Sequence, residues 1–465
     1  MATVRLSDEA LLAFFQSHPG LRDRMASIVG LVGNLDGDLG EADAAEERLI
    51  EEMRLLGHEA LQGWADKRVE ATERDVRGQP GMHRQGKKKL CWHTKFGDIS
   101  VVERQYRFRN NRVRPFVLGA KVSPRGCSRP LQRAIVDFAA DDPFARVQSK
   151  LREHYGFEIG ESTIQRITLG HAEAIFESGR DKVSFPRAPG RHKQIVAQTD
   201  GGMIPVMAPD VRQKDKRKGK KLSWREAKIS LAHAKGSRTP VYGGGIEGGV
   251  EEAGRRLFAC AVRAGFGADS RVHAVGDGAP WIVGQIDDLF GEQGSYLIDF
   301  YHVCEYLSAA SKTIAPDAAE LALANARGKA WMEAQKDALK TGHVGAVLSA
   351  LLPHCESLDV SDEQAPFRIC HRYLSARVDQ LNYREAIAEG LPIGSGEIES
   401  AHRYVAQKRL KLPGAWWLVE HAEHMLALRI NRLNGDWEAY WAALAARPSA
   451  PANLNRPEGS AKAAA

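Results

Sequence analysis

Apolar and polar positions change period several times along the chain, and each change marks an element. Over residues 41 to 75, Ile50, Met53, Leu61 and Trp64 share one helical face while Glu46, Glu47, Glu51 and Glu52 stay polar, which predicts an amphipathic helix. Its stripe reads as packing on its own domain, with dimerisation as the alternative. RGQPGMHRQGKKK reads as a breaker, LCWHTKFGDISVVERQYRF alternates around Phe96-Gly97-Asp98 as a β-hairpin does, and RNNRVRPF is a basic connector. From Pro130 to about Ile175 the period is helical again, in LQRAIVDFAA, PFARVQSKLREHY and ESTIQRITLGHAEAI, with the proportions of a helix-turn-helix unit. Ser162 followed by Gln165 reads as a capping box, which places Thr163, Gln165 and Arg166 in the first turn of a helix that either meets DNA bases or packs on its neighbours.

Beyond residue 190, IVAQTDGGMIPVM, WREAKISLAHAK and the region of PVYGGG read as three strands, and EEAGRRLFACAVRAG as a helix. RVHAVGDG is then a strand, PWIVGQIDDLF a helix and SYLIDFYHV a strand. This βββαβαβ order is that of the ribonuclease-H-like fold, an α/β class. A helical tract from Cys304 to about Glu389 interrupts it before LPIGSGEIESAHRYVAQKRLK. The expected organisation is an N-terminal helical region (1–80), a β-hairpin region (81–125) and a helix-turn-helix-like region (126–185). A ribonuclease-H-like catalytic domain (190–304 and 391–435) then carries an all-helical insertion (305–390), and a disordered tail (447–465) ends the chain.

At 465 residues the chain is long enough for several folding units, and 43% hydrophobic with 27% charged residues is an ordinary globular balance. No apolar run approaches the roughly 20 residues that span a bilayer. With no signal-peptide pattern at MATVRLSDEALLAFF, an intracellular protein without a membrane partner is expected. The six cysteines, Cys91, Cys127, Cys260, Cys304, Cys355 and Cys370, form no CxxC pair, so they suggest neither a zinc ribbon nor a disulfide framework and read as buried or indifferent thiols. A formal charge of +6 permits a polyanionic partner without identifying one.

Three acids carry the candidate chemistry: Asp200 in IVAQTDGG, Asp277 in RVHAVGDGA and Glu399 in the GSGEIES segment. The first and fourth strands of the expected order are neighbours, so an acid closing each brings Asp200 and Asp277 together, and a divalent cation relieves their repulsion. Singly, each aspartate reads as well as a turn residue or helix cap. Glu397 competes with Glu399, and residues two apart on a helix point about 200° from each other, so only one of them faces the site. Gly243-Gly244-Gly245-Ile246-Glu247-Gly248 matches a dinucleotide-binding glycine pattern, but an antiparallel context and Glu247 at the pyrophosphate position argue against it.

Over roughly residues 90 to 435 the chain resembles DDE-type bacterial insertion-sequence transposases of the ISKra group, related to Mutator-like transposases. TDGGMIPV, WREAKISLAHA, VGDGAPWI, LIDFYHV and above all LPIGSGEIESAHRYVAQKRLKLPGAWW carry the resemblance. It implies that Asp200, Asp277 and Glu399 bind two magnesium (or manganese) ions, Glu399 being chosen over Glu397 because it follows GSG by two residues. It implies that Asp299 and His302 form an Asp-x-x-His motif, acting directly or in support. It further implies DNA as partner (element ends and target), a homodimer or higher homo-oligomer on that DNA, and a cytoplasmic, nucleoid-associated location. Related transposases often carry a cysteine pair near RFRNNRVRPF, where this chain has Arg109, Asn110, Asn111 and Arg112, so a structural zinc is not expected there.

Charge placement adds candidate DNA contacts. Arg212, Lys214, Lys216, Arg217, Lys218, Lys220 and Lys221 form a loop suited to clamping phosphates, or simply a solvated charge run. Arg403, Lys408, Arg409 and Lys411 extend the basic character beyond Glu399, and of Trp416 and Trp417 the second is the candidate for stacking on an unpaired base, core packing being the alternative. Two other functions stay open: a related nuclease that joins no strands, and a DNA-binding protein with a silent catalytic core.

Overall fold

The helix expected over 41 to 75 spans Ala42–Val76 in a computed structural model that describes residues 6–33, 41–109, 111–123, 126–179, 183–210, 212, 219–314 and 321–446. Its second half covers a hairpin: Ala65 is buried, Leu61 and Val69 join the core of Leu90, Ile99, Val101, Phe116 and Val122, and the Trp64 ring lies 6.3 Å from that of Trp92. Ile50 and Met53, in the first half, are exposed, so the predicted stripe packs on its own domain only along part of its length.

The hairpin strands are β1 (Met82–Thr94) and β2 (Gly97–Phe108), followed by β3 (Asn111–Val113) in a sheet of order β1-β2-β3. Two expectations are corrected here. The breaker ends at Gly81, because Met82 to Lys89 pair with β2 across a bulge between Arg84 and Lys87. A lysine-rich run is compatible with a strand when that strand lies at a sheet edge and its side chains stay in water. The basic connector likewise forms β3 and the short helix Pro115–Gly119.

Three helices follow, Arg129–Asp141, Phe144–Tyr155 and Glu161–Ser178, as the helical period predicted. Ser128 caps the first through the Leu131 amide, and Gly156, at φ +72°, closes the second. The capping box at Ser162 is not formed. The Gly160 carbonyl takes the first helical bonds, from the amides of Thr163 and Ile164, so Ser162 lies inside the first turn.

The positions up to Thr168, which falls inside the helix Glu161–Ser178, belong with the stretch from Ala439 to one compact unit, and a second unit spans Leu169–Glu438. The second is built on a five-stranded mixed sheet of β4 (Gln194–Pro209), β5 (Lys220–Ala234), β6 (Val241–Gly245), β7 (Arg271–Gly276) and β8 (Gly294–Ile298), in the order β6-β5-β4-β7-β8. β4, β5 and β6 form an antiparallel meander, and β7 and β8 add in parallel beside β4. Helices Gly249–Arg263 and Pro280–Phe290 cover one face through Leu257, Phe258, Ile282 and Ile286. The segment from Gly396 and the helix Val419–Leu433 lie on the other, where Ile398 takes the Gln198 side chain and Ile430 meets Gly244 beside Ile229. Burial on both faces explains the long apolar runs of these strands.

SYLIDFYHV is not one strand. β8 ends at Ile298, and Asp299 caps the helix Phe300–Ser311 by accepting from the Tyr301 and His302 amides. The insertion is helical as expected, its helices Phe300–Ser311, Leu321–Lys340, Val344–Leu351, Pro366–Ser375 and Tyr383–Ala388 sharing a core that includes Val303, Leu339, Leu351, Phe367 and Tyr383. Among the described residues no helix is long and apolar enough to cross a membrane. The expected tail lies outside the described residues.

Candidate active site

Asp200 does not close its strand, since β4 runs on to Pro209. It lies instead where β7 ends. Gln198 pairs with Val275 in parallel register, and each strand reaches its aspartate two residues later, so Asp200 and Asp277 leave neighbouring strands on the same face. Burial holds the Asp200 carboxyl above the usual carboxylate range, and the negative charges of Asp277 and Glu226 push it further up. His402 and the Gly201 amide pull it back: the imidazole Nε2–H donates to the Asp200 carbonyl at 3.1 Å and lies 3.6 Å from its carboxylate, and the Gly201 N–H donates to Oδ1 at 2.7 Å. Asp277 is exposed and accepts the Ala279 amide at 2.9 Å.

The glycines around these acids are there because neighbouring groups come close. A Cβ at Gly201 would stand 2.0 Å from the Glu226 carboxylate, and one at Gly202 2.6 Å from the His402 ring. Gly278, at φ +84°, leaves room for the Tyr373 hydroxyl, which donates to the Asp277 carbonyl at 2.8 Å. The other glycine run has a different role: the amides of Ile246 and Glu247 donate to the Glu423 carboxylate, so the position a pyrophosphate would need is filled by the chain itself.

The acid-bearing helix begins as α-helix over Gly396–Ala401 and widens to a π-helix over His402–Gln407. The buried Arg429 donates to the Tyr404 and Val405 carbonyls of the widened turn, and the same turn aims His402 at Asp200. Ile398 is buried over β4, its amide bonded to Gln198, and Glu397 leans toward β5, where it pairs with His233 at 2.8 Å. Successive residues turn by about 100°, so Glu399 leaves the helix on the flank opposite to Glu397. Its carboxylate is exposed and has no hydrogen-bond or ion-pair partner among the described residues. The oxygens of Asp200, Asp277 and Glu399 do not lie within 4.8 Å of one another; among the described residues that spacing is met by Cys91, His93 and Asp98.

His233 donates to the Ala234 carbonyl from Nδ1 and faces the Glu397 carboxylate with Nε2, so both nitrogens carry protons. Burial, the largest single influence, lowers the imidazole, but the Glu397 bond, the Ala234 carbonyl and the Glu397 charge together outweigh it and the net shift is upward, while the His233 bond lowers Glu397. The raised histidine contributes stability that is complete below about pH 6.5 and lost as pH rises through its folded value. The lowered carboxylate contributes above about pH 4.5 and loses it as pH falls. The pair therefore stabilises most between those values. Glu397→Gln is expected to cost about 1 kcal/mol or less there, because the carboxylate is half exposed. Urea unfolding at pH 5.5 and pH 9 checks this; an unchanged difference between the two pH values in the variant would rule it out.

Asp299 is 3% exposed and its carboxylate is fully engaged. One oxygen caps Phe300–Ser311 through Tyr301 (2.6 Å) and His302 (3.3 Å), and the other accepts the Ser395 amide (2.7 Å) and hydroxyl. It ties the end of β8 to the GSG loop before Glu399, which makes it a positioning residue. His302 is half-buried, its ring edge-on to Tyr306 and to the same Tyr373 that holds the Asp277 carbonyl. It stands beside the Asp277 loop without bonding to an acid of the set.

The basic and aromatic candidates divide. Arg212, Lys220, Lys221, Arg403, Lys408 and Lys411 are exposed, whereas Lys214, Lys216, Arg217 and Lys218 lie outside the described residues. Arg409 is 2% exposed and stacks on the Trp417 ring at 4.7 Å, and the Trp417 backbone docks on the free edge of β4, its carbonyl accepting from Met207. Both are corrected to core roles, because side chains 2% and 6% exposed have no surface left for DNA. Trp416 is the exposed one of the pair, and Lys411 covers the exposed Trp224 at 5.7 Å. In the other unit Gln165 and Arg166 are exposed and Thr163 is half-buried.

Reasoning from sequence missed His402 and Glu226. The two adjacent glycines after Asp200 were the available signal, since they indicate side chains approaching that backbone from both faces. Compared with known protein families and with curated proteins, the chain matches none.

Proposed function

We propose that this protein is a DNA transposase that cleaves and transfers strands of an insertion sequence with divalent metal ions. The single observation that carries the reading is the parallel register that delivers Asp200 and Asp277 to one face of adjacent strands; Glu399, which leaves the covering helix on the flank away from Glu397, is the third acid we assign to them. The strand order supports it: an antiparallel meander extended by two parallel strands, β7 beside its first strand and β8 beside β7, is what a ribonuclease-H-like core requires. An all-carboxylate donor set suits hard cations such as magnesium or manganese. Asp200, Asp277 and Glu399 would hold them, with Glu226 close by. Bound there, such cations supply Lewis-acid stabilisation of the attacking and leaving oxygens in phosphodiester hydrolysis and transesterification.

The chain's own residues do the rest. His402 fixes the Asp200 backbone, Tyr373 fixes that of Asp277, and Asp299 holds the loop that aims Glu399. Gly202–Pro209 of β4 pair with Lys220–Ala227 of β5 as a two-stranded ribbon that continues past β6 and β7, carrying Lys220, Lys221 and Trp224 into solvent beside Lys411 and Trp416. Cations and exposed rings together suit a single-stranded backbone and its unpaired bases.

The test incubates the purified protein with magnesium and DNA carrying the element's own ends, and resolves products on a denaturing gel. Cleaved ends joined to target DNA are expected. Cleavage without joined product would favour the nuclease alternative, and tight binding of ends with no metal-dependent cleavage would favour a silent core; either result overturns the transposase reading.

A further inference from the structure

Far along the sequence from these acids, the tip of the β1–β2 hairpin gathers a different kind of donor. His93 Nδ1 lies 2.6 Å from Asp98 Oδ1, and Cys91 Sγ lies 3.5 Å from Asp98 Oδ2. The register explains the grouping. Cys91 and His93 are two apart on β1 and share a face, Asp98 is the cross-strand partner of His93, and Cys127 forms a parallel bridge with His93 from a separate segment. Four side chains that bind metals therefore emerge on one face around His93; the ligand atoms of Cys91, His93 and Asp98 lie within 4.8 Å of one another, and Cys127, outside that spacing, would have to move in to complete the set. Backbone bonds fix that segment to the strand, Gly126 accepting from the His93 amide and Ser128 donating to the His93 carbonyl.

We propose that Cys91, His93, Asp98 and Cys127 form a structural site for one zinc ion. Two sulfurs, one nitrogen and one oxygen make a mixed set typical of tetrahedral zinc and unlike the all-oxygen set of the acidic triad. Zinc bonds of about 2.3 Å to sulfur and about 2.0–2.2 Å to oxygen place those ligands roughly 3.5 Å apart in a tetrahedron; the Cys91 to Asp98 separation of 3.5 Å already has that value. His93 and Asp98, now in hydrogen-bond contact at 2.6 Å, need to open by about 0.8 Å, to the roughly 3.4 Å that zinc bonds to nitrogen and oxygen set in a tetrahedron. Each cysteine loses its thiol proton on binding. Burial holds both thiols up, Cys127 to about 11; the Asp98 charge adds to this, while Arg166 opposes it at Cys127 and Lys89 at Cys91. Ser128 caps the helix Arg129–Asp141, so the ion would pin the hairpin tip to the start of the three-helix region.

The spacing hid this site: one Cys-x-His pair, an aspartate across the turn and a cysteine further on have no recognisable linear pattern. The inference does not depend on the function proposed above, and the experiment keeps the two separate. The full chain, prepared with zinc and dialysed, is analysed for metal content by mass spectrometry, then reconstituted with cobalt(II) and scanned for thiolate-to-cobalt charge transfer. About one equivalent of zinc per chain, a thiolate–cobalt band, and loss of both in Cys91→Ser and Cys127→Ser are expected, with Asp277→Asn retaining its zinc. Because a misfolded cysteine variant would also lose the metal, the wild-type protein is also stripped with a chelator, which should lower its Tm, with zinc alone restoring it. Less than a tenth of an equivalent of zinc, no thiolate band, or unchanged uptake in both cysteine variants would overturn the site and leave a hydrogen-bonded Cys–Asp–His group only.

Discussion

Asp200→Asn is expected to abolish magnesium-dependent strand cleavage, a loss on the order of a thousandfold or more, while making the metal-free protein slightly more resistant to heat. Both effects come from one carboxylate. Burial, Asp277 and Glu226 raise its pKa in the folded chain, so the fold prefers it protonated. A carboxyl raised in this way contributes stability at low pH that is lost as pH rises through its folded value, and at neutral pH its ionised form is a burden. An amide of the same shape carries no such charge. More than a third of the side chain is exposed, so the gain is limited to about 1 kcal/mol or less, a rise of roughly 2–4 °C in Tm. Magnesium should reverse the ranking, raising the wild-type Tm and leaving that of the variant unchanged. Thermal unfolding with and without magnesium, alongside the cleavage assay, reads both effects. A variant that cleaves normally would remove Asp200 from the site, and one that melts earlier without metal would mean that His402 outweighs the acidic neighbours.

The second large effect is structural. Asp299→Ala is expected to cost about 3 kcal/mol or more, measured by urea unfolding, because it removes a helix cap and leaves the buried Ser395 amide and hydroxyl without their acceptor. Asp299→Asn keeps an acceptor for the cap and should lose less. If Asp299 acts only by positioning, Ser395→Ala should reduce cleavage in the same direction as Asp299→Asn, with no change in the magnesium concentration required. A raised magnesium requirement in Asp299→Asn alone would make Asp299 a metal ligand instead.

Much of the second unit was legible because its strands carry apolar runs between clear breakers, and the chain order of β4 to β8 follows them one by one. The end of SYLIDFYHV was misread because Phe300, Tyr301 and Val303 suit a strand as well as a helix; the capping bonds of Asp299, which periodicity does not register, decide for the helix. In the lysine-rich start of β1 the charged residues hid an edge strand whose pairing comes entirely from β2. At the site, residue type and spacing pointed to the acids but not to their supports. His402 reaches Asp200 only because the helix widens into a π-turn, and Trp417 is buried because it closes a sheet edge opened by the long β4. Both depend on contacts between segments some two hundred residues apart.

The helical insertion leaves the sheet and returns to it at the same place: the Phe300 amide donates to the Ile393 carbonyl at 2.8 Å, and Asp299 meets Ser395, 96 positions further along the chain. The two ends are fastened together by bonds that lie outside whatever runs between them. Closing a longer excursion costs little extra, about 0.6 kcal/mol for each doubling in length. The length of the excursion is thereby uncoupled from the docking of the segment that follows it, so this point in the chain can accept longer or shorter helical tracts while Ile398 keeps its bond to Gln198 on β4.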